Sequence, residues 1–442
     1  MAYMEIRQES SKNTSPKKHF SKDTLLNFAF VALIIYFIVF FWEIGKLGNV
    51  CMAGDFCGYY SAGQIMNDGQ VADIYNLDLL QKYQSDLVYG VDEQFKSIEP
   101  AAMLYLPIFL LPFRLFALLD LSPSLFIWEA LNAIVLVWYL FFFSKKMTGK
   151  ALSFQTLILI LISFPVLRNF MDGQVNVFLL ICVGEFLRAI QSDKPVKAGL
   201  WLGGILIKPH LLILILPFLL IQKKYKVLLG FIYAALALFG LSYLLIGWQG
   251  FIAFKDVILE AAGGGASSFH EVMMNWRATG YYVTKLTTPV LGEIVFIGGS
   301  LLTGLVPLVA FRKQLSEKSS MFAIALLGIL AATTAVTYHA HVHTSMILIP
   351  VLLYLYFNEI LSRKLLIIWV MITDVSSIFQ FLVYVSVSPL IAEAALSDIN
   401  SFLYGHSMMV ANLILLGWAV QQKIKSDQAA RLQAADRPAE LN

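Results

Sequence analysis

The chain has 442 residues, 58% of them hydrophobic and only 14% charged, with a formal net charge of +3. Mean hydropathy is +0.72, whereas a soluble domain is about 45–50% apolar, so this is an integral membrane protein and not a large soluble enzyme. So small a charge argues against a nucleic-acid partner, and no Walker or dinucleotide-binding glycine pattern offers a seat for a cytosolic nucleotide.

The first element is an uncharged apolar run from Leu25 to Trp42, long enough to cross a bilayer. Lys12, Lys17, Lys18 and Lys22 precede it and hold residues 1–24 in the cytoplasm as a basic tail. The run is longer than a signal-peptide core, and Trp42-Glu43-Ile44 is no small-residue cleavage site, so it is expected to stay as an anchor. Asp55 then emerges on the far side, close to the membrane surface, where a carboxylate can act as a base on a membrane-borne substrate. The same residue is also a good cap for the helix expected from Phe56. Cys51 and Cys57 flank it, close enough for a disulfide on an oxidising face, or else free apolar thiols like Cys182 in a later span.

Residues 43–123 form the first outer loop. Two amphipathic interfacial helices are expected in it, Phe56–Asn67 and Asn76–Val88, with Tyr59, Tyr60, Tyr75 and Tyr83 suited to the headgroup layer. Met103–Leu119 is apolar but carries Pro107, Pro112 and Arg114, and reads as an interfacial or re-entrant piece. Further spans follow near Leu125–Phe143, Leu152–Leu167, Val175–Leu187, Ala198–Ile207, Leu211–Ile221 and Val227–Ile246. The remainder are Val290–Phe311, Met321–Val336, Thr344–Phe357, Leu365–Val385 and Phe402–Val420.

The expected fold is therefore an all-α polytopic membrane protein of about 12 transmembrane helices over residues 25–421, ending in a polar cytoplasmic tail, 422–442. Most of the 32 Lys and Arg residues then lie inside, including Lys145/Lys146/Lys150, Lys223/Lys224/Lys226 and Arg312/Lys313/Lys318. Fusing Ala198–Ile221 into one span reverses that balance unless Met103–Leu119 also crosses, which is the second-best topology. The preferred one leaves two short helices meeting at Lys208-Pro209-His210, a break that protein or water must surround. No internal repeat is apparent.

This topology gathers unusual polar residues on the outer face: Asp55, Arg168-Asn169, Asp172-Gly173-Gln174-Val175-Asn176, Lys208-Pro209-His210, Asn275-Trp276-Arg277, and His339, His341 and His343. Ionisable groups at membrane depth are expensive unless they face a cavity or a partner. Lys208 and Arg168 are candidate phosphate cations, or else snorkel to headgroups. Gln174 and Asn176 bind substrate or satisfy backbone groups at a helix start. The three histidines favour hydrogen bonding to a phosphate or hydroxyl over a metal, since no Cys or Glu cluster accompanies them. Gly263-Gly264-Gly265-Ala266-Ser267-Ser268 is a flexible linker or a mobile lid.

Taken in order, Asp55-Phe56, Tyr59-Tyr60-Ser61-Ala62-Gly63, Phe164-Pro165, Gly173-Gln174-Val175-Asn176, Ala198-Gly199, Lys208-Pro209 and a histidine before the apolar run ending at Pro350 resemble the glycosyltransferase-C superfamily. Within it they are most similar to the polyprenyl-phosphate-mannose-dependent α-mannosyltransferase family. The resemblance implies an acidic catalytic base on the first outer loop, a role that falls on Asp55. It also implies a His-Asp pair at the later histidine; this chain has His339-Ala340, His341-Val342 and His343-Thr344 instead, with His343 best spaced to Pro350.

The expected reaction is transfer of a sugar, mannose by the family default, from a polyprenyl-phosphate donor to an acceptor hydroxyl of a lipid or glycan, with inversion. Asp55 is the base. Donor phosphate and substrate are expected at Lys208, Arg168, Arg277, His339, His341, His343, Gln174, Asn176, Tyr59, Tyr60 and Asn275, with no metal and no cofactor. The expected location is the bacterial inner membrane, with the active site on its periplasmic face. A secondary transporter or lipid flippase is the alternative of another class, since twelve spans with broken helices suit it. An acyl- or oligosaccharide-transferring enzyme is a third reading.

Overall fold

The computed structural model describes residues 54–88, 102–263, 270–387 and 393–435. The basic tail, the anchor Leu25–Trp42 and Cys51 lie outside the described residues, as do residues 264–269 of the glycine-serine stretch and the last seven residues. Among the described residues every regular element is a helix.

Helices α1 (Gly54–Asn67) and α2 (Leu77–Val88) fall where the first outer loop leads one to expect them. Their setting differs from that expectation. Along α1, residues 56–63 are all buried, because two short helices, α3 (Pro107–Leu110) and α4 (Phe113–Phe116), fold over it. Phe56, Tyr59, Phe113, Phe116 and Trp128 stack into one aromatic cluster with ring centroids 4.8–6.3 Å apart. The tyrosine tips find protein partners in place of headgroups: Tyr59 OH donates to Tyr105 OH at 2.7 Å, Tyr60 OH to Leu119 O at 2.7 Å, and Tyr75 OH to Tyr105 O at 2.5 Å. Only Tyr83 stays part-exposed, bonded to Asp68. A buried aromatic side chain with its polar end satisfied gains more from packing than from the interface. Gly63 permits the contact, since a Cβ there meets Phe113 O at 2.3 Å.

α5 (Leu121–Thr148) runs 28 residues, about 42 Å at roughly 1.5 Å per residue, and so clears a hydrocarbon core of about 30 Å. It ends on Gly149 at φ +69° with Lys145 and Lys146 in its last turn, a left-handed cap and a favourable charge placement. α6 (Phe154–Leu161) and α7 (Phe164–Met171) are bent 58° at a short break. The expected single span Leu152–Leu167 is therefore kinked: Pro165 in the first turn of α7 has no N–H to continue the ladder. α8 is Asn176–Gln191 and α9 is Pro195–Gly203, extended by a 3-10 turn over Gly204–Ile207. A second 3-10 turn, Pro209–Leu212, leads into α10 (Ile215–Ile221). The chain does break at Lys208, which has φ −127° and ψ 80° between the two turns.

α11 covers Tyr225–Gly263 but is interrupted at Gly247, with φ +66°, one residue past the expected span end at Ile246; only glycine adopts that conformation without strain. α9 crosses α11 through Gly199 and Gly230. A Cβ on Gly230 meets Val196 O at 2.1 Å, and one on Gly199 meets Val227 O at 2.0 Å. Small residues set such close backbone approaches in membrane bundles. Gly230→Val is accordingly expected to destabilise the fold by about 1–3 kcal/mol through overpacking, seen as a lower Tm in detergent; an unchanged Tm contradicts this crossing.

The rest are α12 (Trp276–Leu286), α13 (Pro289–Ala310), α14 (Ser320–Val336), α15 (Ile349–Phe357), α16 (Arg363–Val387) and α17 (Glu393–Ala435). A 3-10 stretch, Val342–Leu348, precedes α15. Among the described residues four helices, α5, α11, α13 and most of α17, are long and apolar enough to cross a membrane, or five if the bent pair α6–α7 is one span. The predicted spans Ala198–Ile207, Leu211–Ile221, Met321–Val336 and Thr344–Phe357 are shorter apolar helices.

Asn412 of α17 ties this half together. It accepts from Trp369 Nε1 at 3.0 Å and donates to Thr334 Oγ1 at 2.9 Å and Ser345 Oγ at 2.8 Å. A fully satisfied buried network of this kind fixes one arrangement of the helices it joins, here with the 3-10 stretch that carries His343.

Candidate active site

Four pieces of backbone converge at one end of the bundle: the start of α1, the loop between α7 and α8, the Lys208 break, and the segment from Thr337 to His343. Gln174 is their junction and is 2% exposed. Its amide nitrogen donates to Asp55 Oδ2. Its oxygen accepts from Lys208 Nζ at 2.9 Å and lies 3.3 Å from Tyr59 OH, whose proton is directed to the nearer Tyr105. A glutamine can serve both neighbours because it carries a donor and an acceptor on one carbon. The loop holding Gln174 is set by Gly173 at φ +63° and by Trp128, whose Nε1 donates to Gly173 O at 2.8 Å.

A second chain of contacts starts at Arg168. Its Nη2 pairs with Asp172 Oδ1 at 2.5 Å, and its guanidinium lies 5.3 Å from the centre of the Tyr404 ring. Asp172 Oδ2 is 3.1 Å from His343 Nδ1, while His343 Nε2 stands 3.5 Å from Lys208 Nζ. An ammonium has only donors, so Nε2 accepts and Nδ1 carries the proton given to Asp172. Two carboxylates thus share a pocket with two cations.

Burial, followed by the nearby charge of Asp172, pushes the Asp55 carboxyl up to about 6; Lys208, the Gln174 amide and Arg168 work against the rise. Burial also raises Asp172, opposed by Arg168 and Lys208. A carboxylate held near neutrality is matched to taking a proton at physiological pH.

The structure thus brings Asp55, Gln174, Tyr59, Lys208, Arg168 and His343 together. His341 and His339 continue from His343 as a row, with ring centroids 5.6 Å and then 4.9 Å apart. Arg277 Nη1 donates to Ala261 O at 3.2 Å. Three other sequence candidates have structural bonds. Tyr60 holds Leu119 O. Asn176 bonds through N and Nδ2 to Asn169 Oδ1. Asn275 caps α12 by accepting from Ala278 N at 3.0 Å and donates to Thr337 O at 2.9 Å, bracing the histidine segment from behind. Cys57, two residues past Asp55, is disulfide-bonded, and Cys182 is a free buried thiol.

Sequence reasoning did not give Tyr105, Tyr404 or Glu129 a role. Nothing in the sequence marks the two tyrosines. Glu129 is a signal in itself, a carboxylate inside an otherwise apolar span; it is 2% exposed, with neither carboxyl oxygen hydrogen-bonded among the described residues. Asp172 stands four residues after Arg168, the spacing of a helical ion pair. Among the described residues no group of three or more His, Cys, Asp or Glu side chains is arranged to hold a metal ion.

A polar site pairing a carboxylate near neutrality with a buried lysine and a part-buried arginine, set among apolar helices, defines a membrane protein with the equipment for group transfer. Residues 104–337 match glycosyltransferase family 87, more than half of the 442 residues, and the chain belongs to that family. It is therefore a membrane glycosyltransferase, which counts against the reading as a transporter or flippase. The match takes in Arg168, Asp172, Gln174, Lys208 and Arg277; Asp55 and the three histidines lie outside its bounds. No curated protein and no solved structure matches the chain.

Proposed function

We propose that this glycosyltransferase is of the glycosyltransferase-C type and moves a sugar, mannose by default, from a polyprenyl-phosphate donor to an acceptor hydroxyl. The work is done on the outer face of a bacterial inner membrane, within a bundle of about twelve spans. The observation that carries the reading is the Gln174 bridge, which places the Asp55 carboxylate beside the buried Lys208. Asp55 takes the hydroxyl proton as the acceptor oxygen attacks the anomeric carbon. The bond from that carbon to the phosphate oxygen breaks, and its electron pair leaves with the lipid phosphate from the opposite side, inverting the centre.

His343, oriented by Asp172, and the row beyond it face the region into which that negative charge grows. Tyr59 and Gln174 hold the carboxylate in place. A lipid-borne donor suits the sequence, since it has no nucleotide-binding pattern and gives the site an apolar frame.

The test is transfer by the purified chain in proteoliposomes from radiolabelled polyprenyl-phosphate mannose, against nucleotide sugars of mannose and glucose. Transfer from the lipid donor alone is expected. Transfer from a nucleotide sugar with none from the lipid rejects the donor assignment.

A further inference from the structure

The Lys-Pro break carries one more polar residue, His210, that no step above employs. It is 9% exposed, and neither ring nitrogen has a hydrogen-bond partner among the described residues. Its ring lies 5.3 Å from Tyr338 and 5.8 Å from His339. His339 Nδ1 and Thr337 Oγ1 are likewise buried and unpartnered. Leaving a buried donor or acceptor unmade costs about 1–3 kcal/mol each, so the three unpartnered nitrogens of these two neighbouring rings point to a ligand that satisfies them. Arg277 is near enough to act electrostatically on both His339 and Tyr338.

The cations of the Gln174 pocket are already engaged by protein groups. Arg168 is engaged by Asp172, and Lys208 bonds Gln174 within reach of Asp55 and Asp172. The imidazole row therefore has two unlike ends. His343 is held by Asp172 and Lys208; among the described residues both ring nitrogens of His210 and Nδ1 of His339 have no hydrogen-bond partner, and Arg277 lies within electrostatic reach of His339. With successive centroids 4.9–5.8 Å apart, the rings are close enough for several hydrogen bonds to one polyoxygen anion.

We infer that His210 and His339, with Tyr338 and Arg277 beside them, seat the phosphate of the donor, and that Lys208 and Arg168 instead hold Asp55 and Asp172. The inference rests on the reaction proposed above and divides its cations between two tasks. Breaking the bond to the anomeric carbon turns a phosphodiester monoanion into a monoester dianion. Ring N–H groups and Arg277 meet the added charge where it appears, while the acceptor's proton rests on Asp55.

Binding of polyprenyl monophosphate to the full chain in nanodiscs tests this, followed by intrinsic fluorescence with inorganic phosphate as competitor. His210→Ala and His339→Ala are expected to weaken binding at least tenfold, His210→Gln, which keeps an N–H donor, to recover most of it, and Asp55→Asn to bind as the wild type does. Competition by inorganic phosphate places recognition in the anion alone. Its failure to compete, with the alanine losses intact, places recognition in a headgroup presented by lipid.

Unaltered affinity in folded alanine variants overturns the seat. Should those variants not fold, recoupling between 31P of the bound lipid and ring-15N histidine in His343→Gln decides; no contact overturns it. Transfer assays run in parallel separate the two ideas. An unchanged donor KM in His210→Ala sinks the seat alone, whereas wild type that binds polyprenyl phosphate through these rings but transfers nothing from it sinks the reaction.

Discussion

Asp55→Asn should lower kcat for sugar transfer by about 10²–10⁴-fold, the usual contribution of a positioned proton acceptor. The amide matches the carboxylate in size, and its oxygen can still accept from the Gln174 amide that now bonds Asp55. The pocket therefore survives, and Tm should not fall. Asp55→Glu keeps the charge but pushes it about one methylene deeper towards Gln174 and Tyr59; a displacement of about 1 Å can cost roughly 10²-fold by itself. The wild-type profile carries the same message. Burial and Asp172 hold the Asp55 carboxyl at about 6, and only its ionised form is a base, so kcat/KM should fall below that pH and level off above it. An asparagine variant within tenfold of wild type, or an acid limb that survives the substitution, removes Asp55 from the chemistry.

The elements most legible in the sequence were those decided by local chemistry. Apolar runs located α13 to within a residue at each end and α5 to within about a turn, and the Lys-Pro dipeptide marked a break that the structure places at Lys208. Polar residues clustered in topology did meet in space: Asp55 and Lys208, distant in the chain, are joined by Gln174. What could not be read depends on long-range packing. Tyr59 looks like an interfacial tyrosine until α4 is seen to pack on it, and Tyr75 until Phe254 of α11 is. Tyr404, in the last helix, is unreadable as the platform for Arg168, since nothing local links residues 236 positions apart. The choice among His339, His341 and His343 was open because three alternate residues are equivalent in sequence. Asp172 breaks that equivalence, bonding His343 at 3.1 Å.

Lys208→Met and Asp172→Asn should shift the acid limb in opposite directions, a stricter demand than loss of activity. Methionine fills the space of a buried lysine stem without the charge. Lys208 is among the influences that lower the Asp55 carboxyl, so its removal lets that carboxyl rise further above about 6, and the limb moves to higher pH. At pH 7 less of the base is ionised, and Gln174 loses the 2.9 Å contact that holds its oxygen. A drop in kcat/KM of about 10²–10³ is expected, the scale of removing one preorganised electrostatic group, partly regained at pH 9. Asp172 works the other way, its charge being the second cause of the rise. Asparagine there removes the repulsion and frees Arg168 to act on Asp55, so the limb moves below 6. The same change takes the acceptor from His343 Nδ1, so the plateau rate should also fall; the limb's position, which a merely structural defect leaves in place, is the readout that matters. Limbs that coincide in wild type and both variants mean that the two carboxylates and Lys208 do not form one electrostatic unit, and the division of roles around Gln174 then fails with them.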